Sequence, residues 1–364
     1  MLEIYLPIIQ VNVDIFLLLF LSLLVGVLSG LFGVGGGFLM TPFLIFMGIP
    51  PVYAVPNEVN NILATSVSGS LTHWFKNTLD YKMGFMIMCG GIVGTTAGMM
   101  TFSYFSDIGK ISTIISLLYM NLLAIVGALM LVDTLRESRT KEKKKKKLHD
   151  HNWFQGLPFR MRFPKSRLYE SALTPIFLGL IVGFVASMMG IGGAFLMVPA
   201  MIYIVGMPVK LIPGTSLFVT IFISTIVTVL HAFNYGSIDL FLVIPLIFGS
   251  ILGVQLGQKL GQYLDSSHLK SLFAVLLCSV AVAIAYDSFL RDKTNFNETQ
   301  IATTDLNALA EFSLKFNNEA PFLYGALAIL LAISLGALTA WVRKIFSDMR
   351  KNKSQAEKVK FPTK

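Results

Sequence analysis

The run Gly33-Val34-Gly35-Gly36-Gly37-Phe38-Leu39-Met40-Thr41-Pro42 returns later in the chain as Gly190-Ile191-Gly192-Gly193-Ala194-Phe195-Leu196-Met197-Val198-Pro199. Seven of the ten positions are identical, at an offset of 190 − 33 = 157. Each copy sits in an apolar stretch too long for one membrane helix. Residues 15–48 as a single helix would extend about 50 Å, against a hydrocarbon core about 30 Å thick. The stretch must therefore break or fold back, and the same holds for residues 172–206. Glycine tolerates the φ values a break demands, provided neighbouring protein satisfies the freed backbone groups. The offset persists to Pro56 and Pro213. After a two-residue shift it pairs Asp80 with Asp239, Gly90 with Gly249, Gly94 with Gly253 and Gly98 with Gly257. The chain is a duplicated unit.

Outward from these runs, apolar stretches fall at about residues 15–48, 54–75, 84–102, 111–132, 172–206, 211–233, 238–258, 269–287 and 321–342. Apolar residues make up 54% of the 364 and charged residues 13%, about half the charge of an ordinary soluble domain. Charge is also confined: 17 of the 49 charged residues lie in 133–170, nine in 287–319 and ten in 343–364. Such stretches have little to solvate them in water, which excludes a soluble enzyme, a nucleic-acid binder and a disordered chain. The fold class expected is an all-α polytopic integral membrane protein. Cys89 and Cys278 fall inside apolar segments and read as packing residues. The N-terminus lacks the basic residues of a signal peptide, so the first apolar segment reads as retained.

The net charge of +9 is local, because the two basic blocks contribute +7 and +6 and the remainder sums to −4. Lys/Arg excess marks cytoplasmic loops, so the 133–170 linker and the C-terminal tail are expected in the cytoplasm, and the acidic 287–319 loop outside. Lys143 to Lys147 are placed to rest on anionic headgroups. Counting spans back from these anchors, residues 172–206 start and finish inside, while residues 15–48 start and finish outside. The repeats then have opposite orientation, with the N-terminus outside and the C-terminus cytoplasmic in a cell inner membrane. The expected organisation is a first repeat over 1–132, a basic linker over 133–170, a second repeat over 171–288, a polar external loop over 289–320, an extra helix over 321–342 and a basic tail over 343–364. Inverted repeats with interrupted helices are the architecture of many secondary transporters.

The repeated glycine runs, followed by Pro213-Gly214-Thr215-Ser216, resemble the TauE/SafE sulfite and sulfonate exporter family. The resemblance covers both repeats and implies a permease for a sulfur-containing oxyanion or organosulfonate. The first repeat departs from the second after its proline, with Asn57-Glu58-Val59-Asn60-Asn61 where the second has Gly214-Thr215-Ser216-Leu217-Phe218.

An oxyanion in a low-dielectric pore needs donors, and broken helices supply unpaired N–H groups with a positive dipole end. Gly35, Gly36 and Gly37 with Gly192 and Gly193 would form two opposed cradles, supplemented by Thr215 and Ser216 hydroxyls and the amides of Asn57, Asn60 and Asn61. The other reading is that the glycines only permit close helix packing, while Asn57 and Thr215 cap helices. Glu58 is the lone carboxylate between Asp14 and Asp80. It reads either as a proton-coupling group at membrane depth or as a helix-start acid near the outer surface. His73 and His231 occupy nearly matching places and read as interfacial residues rather than a proton relay.

No nucleotide motif is present: neither glycine run ends in Gly-Lys-Ser/Thr, and Phe38 and Phe195 stand where a dinucleotide fingerprint needs its third glycine. A membrane enzyme, for instance one pairing Ser70 with His231, has no motif behind it, and His149 and His151 in the linker make a poor metal pair. No cofactor or metal is expected. Residues 305–316 read either as an amphipathic surface helix or as a solvated loop. Asn297-Glu298-Thr299 is a lone sequon. Export is favoured because an anion leaving a negative interior gains about 2.3 kcal/mol per charge per 100 mV. A channel, a permease for another small anion, or a non-transport membrane protein are the alternatives.

Overall fold

A computed structural model describes residues 3–32, 39–139, 158–208, 210–260, 266–289 and 308–360. The runs Gly35 to Gly37 and Lys143 to Lys147, the pair His149/His151 and the sequon at Asn297 lie outside the described residues.

The first repeat opens with a two-stranded antiparallel hairpin, β1 (Glu3–Leu6) and β2 (Val11–Asp14). It continues through α1 (Ile15–Phe32), α2 (Met40–Phe46), α3 (Pro51–Phe75), α4 (Tyr81–Asp107) and α5 (Ile111–Arg139). The second repeats the order: β3 (Arg160–Phe163) and β4 (Leu168–Ser171), then α6 (Leu173–Met189), α7 (Ala194–Tyr203), α8 (Ile212–Tyr235), α9 (Leu240–Leu260) and α10 (Ser266–Phe289). Helices α11 (Ala308–Glu319) and α12 (Pro321–Lys360) follow and have no counterpart. The two hairpins are new relative to the sequence reading, which left residues 3–14 unassigned and took 158–170 as linker. Helix α12 also runs on through the basic tail to Lys360, as a Lys/Arg-rich stretch without Gly or Pro permits.

Among the described residues, five helices are long and apolar enough to cross a membrane: Tyr81–Asp107, Ile111–Val132, Ile212–Tyr235, Leu240–Gly257 and Pro321–Ile345. Large apolar side chains such as Phe20, Met100, Leu129 and Val282 face outward, as a lipid solvent favours. Helix α3 is the contrast. It carries Asn57, Glu58, Asn60 and Asn61 and keeps them away from lipid, every residue from Ala54 to Val67 being buried.

The glycines aligned by the repeat sit at the seams between the halves. In the α4–α6 seam a Cβ at Gly90, Gly94 or Gly98 would run into the carbonyls of Ile176, Leu180 and Phe184. In the α1–α9 seam, Gly249, Gly253 and Gly257 face the carbonyls of Leu19, Leu23 and Val27. Each residue of the α6 series is its α1 counterpart plus 157 (176 − 19, 180 − 23, 184 − 27). Both seams run parallel, and each joins the first helix of one repeat to the fourth of the other. Side-chain-free faces let the backbones meet, the usual basis of close helix pairs in membranes.

The ends of the helices establish the inversion. The N-terminal part of α3 meets the start of α9, where Asn57 Nδ2 donates to the Ser237 carbonyl (3.0 Å) and Asn57 Oδ1 accepts from the Asp239 amide (2.7 Å). The N-terminal part of α8 meets the start of α4, where Thr215 Oγ1 accepts from the Asp80 amide (3.1 Å). Helices α3 and α8 therefore pass one another antiparallel, with hairpin 1 at one end of the molecule and hairpin 2 at the other.

Two further expectations meet the structure here. His231 is fully buried, 4.7 Å from the Phe102 ring centroid, with Nε2 3.4 Å from the Ser187 carbonyl oxygen. Helix α8 runs four residues past it before Gly236 ends the helix at φ +55°, so the histidine lies inside the bundle. His73 is partly buried, its Nδ1 2.9 Å from Thr78 Oγ1. The segment before the last helix does hold a helix, α11. It turns Ala310, Ser313 and Asn317 inward, with Asn317 Nδ2 donating to the Gly236 carbonyl (2.8 Å).

Candidate functional site

The α6–α7 break is built from Gly190, Gly192 and Gly193, at φ +73°, +66° and +81°, a left-handed backbone that other residues adopt only with strain. All three are buried. A Cβ at Gly190 would come within 3.0 Å of Val55 Cα, one at Gly192 would collide with Ile62, and one at Gly193 would lie 2.5 Å from Val182 Cγ1. Val55, Glu58 and Ile62 share a face of α3 by their spacing. The break of the second repeat thus lies against the two turns of α3 that carry the polar residues of the first.

Those residues are fully enclosed. Asn61 Nδ2 donates to both Glu58 carboxylate oxygens (3.2 Å each) and to Ser250 Oγ on α9 (2.9 Å). Ser250 Oγ in turn donates to the Ser22 carbonyl on α1 (3.4 Å). Tyr119 reaches in from α5, its hydroxyl donating to the Met189 carbonyl at the break (2.6 Å). Buried without a hydrogen-bond partner among the described residues are Asn60 Nδ2, Asn60 Oδ1 and Asn61 Oδ1. Each such group left unpaired costs about 1–3 kcal/mol.

Asn57, Thr215 and Ser216 stand apart from this cluster in what they bond. Asn57 Nδ2 also donates to the Tyr53 carbonyl (2.7 Å), so both ends of its amide are engaged in helix-end contacts. Thr215 Oγ1 donates to Leu211 O (2.8 Å) while accepting from Asp80, and Ser216 Oγ donates to Pro213 O (3.1 Å). Glu58 is 0% exposed, which sets aside the reading of a surface acid at a helix start. Ser70 and His231 are not hydrogen-bonded to one another, and the imidazole lies against Ser187 instead. Sequence reasoning missed Tyr119, Ser22 and Ser250, whose one signal is a polar group in an otherwise apolar span. Among the described residues no group of three or more His, Cys, Asp or Glu side chains is placed to hold a metal.

Two water-sized cavities of about 10 Å³ lie between helices, one among α2, α5 and α10 and one among α3, α9 and α12. One, toward the hairpin-1 end, is lined by Pro42, Ile45, Phe46, Ser116, Tyr119 and Ile284. The other, toward the hairpin-2 end, includes Thr65, Ser68, Gln255 and Arg343.

The duplicated, seam-packed helices and their buried cluster coincide with a known pattern: the profile of the sulfite exporter TauE/SafE family matches residues 18–284. The chain belongs to that family. The TauE/SafE match takes in both helix breaks, both seams and the whole polar cluster, and ends before α11 and α12. Among curated proteins, the chain is 29% identical over 257 residues to the "Probable membrane transporter protein YjnA" of Bacillus subtilis, covering 71% of this chain and 91% of that one. It is 25% identical over 279 residues to YunE of the same organism, also named a probable membrane transporter protein, covering 74% and 97%. A protein of that description from Methanocaldococcus jannaschii is 27% identical over 279 residues, covering 72% and 91%. No solved structure matches the chain. Membership in TauE/SafE makes this a multi-pass membrane protein of a transporter family, whose substrate is a small solute.

Proposed function

We propose that the protein is an inner-membrane permease that exports a small sulfur-containing oxyanion or organosulfonate, with the N-terminus outside and the C-terminus in the cytoplasm. The observation that carries the reading is the left-handed Gly190–Gly193 break packed on the Val55/Ile62 face of α3, the face that also carries Glu58 and its hydrogen-bond partner Asn61. Amide N–H donors and freed backbone groups suit an anion in a low-dielectric site, because they provide positive potential without mobile counter-charge. Gly192 and Gly193 let the backbone come close, and Gly35 to Gly37 would supply the opposed cradle of the first repeat. Asn57, Thr215 and Ser216 border the pathway and align the helices that move.

The antiparallel pairing of the two repeats supports alternating access. A cavity on the hairpin-1 side and another on the hairpin-2 side are what a carrier closed in between would present. Rocking one repeat against the other would enlarge one cavity at the expense of the other. Glu58, hydrogen-bonded to Asn61, is the group available for coupling to protons. A carboxylate beside an anion is tolerated when it is protonated or turned aside.

Efflux from proteoliposomes loaded with sulfite, a short sulfonate, sulfate or acetate, at fixed potential, tests this. Selective release of the sulfur-containing anions supports the proposal. Equal leakage of all four, or release of none by folded protein, contradicts it.

A further inference from the structure

Helix α12 lies outside the duplicated unit, yet it is packed along α3. A Cβ at Gly336 would lie 3.0 Å from Val67 Cβ, Thr339 Oγ1 donates to Ser68 Oγ (3.0 Å), and Lys344 Nζ lies 4.4 Å over the Phe75 ring. The two helices therefore run parallel, and Arg343, one turn beyond Thr339, comes to the α3 side. It is partly buried and lines the hairpin-2-side cavity together with Thr65, Ser68, Gly69, Ile251, Val254 and Gln255. The lining includes no acidic side chain. Thr65 lies one turn along α3 from Asn61, its hydroxyl bonded back to the Asn61 and Ile62 backbone carbonyls (3.2 and 3.0 Å).

Arg343 stands where the apolar stretch of α12 gives way to the basic tail, and it lines a polar crevice between helices rather than facing outward. Its planar guanidinium matches two oxygens of an oxyanion, and Gln255 and Ser68 add neutral polar groups beside it. Arg343 already interacts with its surroundings, and the five N–H donors of a guanidinium leave it able to take a two-oxygen ligand as well.

We propose that Arg343, carried by the non-repeated helix α12, makes this crevice a receiving site where a small oxyanion is held before it passes Thr65 to the Asn60/Asn61 cluster. This rests on the reading of the protein as an anion permease. At about 10 Å³ the cavity admits one water, so the anion is taken up when α9 and α12 part in the state open to the hairpin-2 face. A lipid phosphate shares the same chemistry, and the proposal commits to the transported anion.

The test is thermal stabilisation of the full-length protein by sulfite, titrated in lipid-free maltoside micelles and repeated with an anionic phospholipid in place of sulfite. Arg343→Gln is expected to raise half-saturating sulfite by about tenfold or more, Arg343→Lys by less, and Lys344→Gln to match wild type. Arg343→Lys, which keeps the charge, carries the test should the glutamine variant fail to fold. A sulfite titration unchanged in both Arg343 variants overturns the proposal, as does a sulfite response left intact while the phospholipid response is lost. Failure of the wild type to respond to sulfite, sulfate or a short sulfonate instead overturns the permease reading on which the proposal stands.

Discussion

Asp239, at the head of α9 in the second repeat, accepts a hydrogen bond at 3.0 Å from the amide of Ile8, in the turn of the first repeat's hairpin. Asp80, at the head of α4, does the same for the opposite half, accepting from the amide (3.1 Å) and hydroxyl of Ser166 in the second hairpin's turn. Each aspartate also caps its own helix, Asp239 through the Phe241 amide (3.0 Å) and Asp80 through the Met83 amide (3.2 Å). Each repeat is thus clasped at one end of the molecule by an acid of the other, and a rocking motion must work against both clasps.

Loss of either acid is expected to destabilise the folded protein by about 1–3 kcal/mol, because buried N–H groups lose their acceptor. Thermal unfolding in detergent of Asp80→Ala and Asp239→Ala checks this, and midpoints equal to wild type would show the clasps to be dispensable. Asp239 carries a pH signature as well. It lies just ahead of the apolar span, and burial pushes its carboxyl from 3.8 up to about 6, despite amide donors at Ile8, Ile9, Phe241 and Leu242 that favour the charged form. The folded state holds the proton more tightly than the unfolded one. Its contribution to stability is therefore full below about pH 4 and is lost as pH rises through about 6. Asp239→Asn should flatten that step.

The seams make a steric prediction. Gly94→Val and Gly253→Val each place a side chain where the carbonyls of Leu180 and Leu23 already stand, and backbone cannot move aside as a side-chain tip can. We expect losses of at least about 1–3 kcal/mol at either site. Met100→Ala, at a side chain 75% exposed on the outer face of α4, should cost little. A stability profile across α4 in which the glycine and Met100 variants behave alike would contradict the packing described.

Gly193 separates backbone strain from collision. Gly193→Ala adds the penalty of a left-handed alanine, about 1–2 kcal/mol, to a 2.5 Å approach to Val182 Cγ1. The pair Gly193→Ala with Val182→Gly removes the collision and keeps the strain. The cost of Gly193→Ala should therefore be smaller in the Val182→Gly background than in wild type, without vanishing. Equal costs in the two backgrounds would place the collision elsewhere.

Glu58→Gln keeps the shape and an acceptor oxygen for Asn61 Nδ2, so it is expected to fold with a midpoint near wild type. Its transport should lose dependence on an imposed proton gradient while retaining downhill flux at fixed potential. Proton-driven accumulation equal to wild type would remove Glu58 from coupling.

Much of this arrangement could be read from the chain because it depends on length and repetition. Two stretches exceed a membrane span, and the 157-residue offset carried the register into the seams, where Leu19 and Ile176, or Leu23 and Leu180, play the same part. What could not be read depends on meetings between distant segments. The four-residue strands Glu3–Leu6 and Val11–Asp14 are too short for a clear period-two signal, and their value lies in presenting Ile8 to Asp239, 231 residues away. The same limit applies to the candidate site. Asn57 and Asn60 look alike in sequence, but Asn57 has its amide engaged by Tyr53, Ser237 and Asp239, whereas Asn60 is buried with both amide atoms unpaired. Burial of His231 likewise follows from the position of Phe102 and Ser187, which no local pattern encodes.

In an alternating-access permease the region around Asn60 opens to one side of the membrane at a time. Asn60→Cys, in a background with Cys89 and Cys278 replaced by serine, allows a membrane-impermeant thiol reagent to be applied from either face of sealed vesicles. Labelling is expected from both faces, slowed by sulfite, with reaction from one face blocking reaction from the other. A thiol that reacts from neither face under transport conditions, or from one face only and without regard to sulfite, would contradict alternating access.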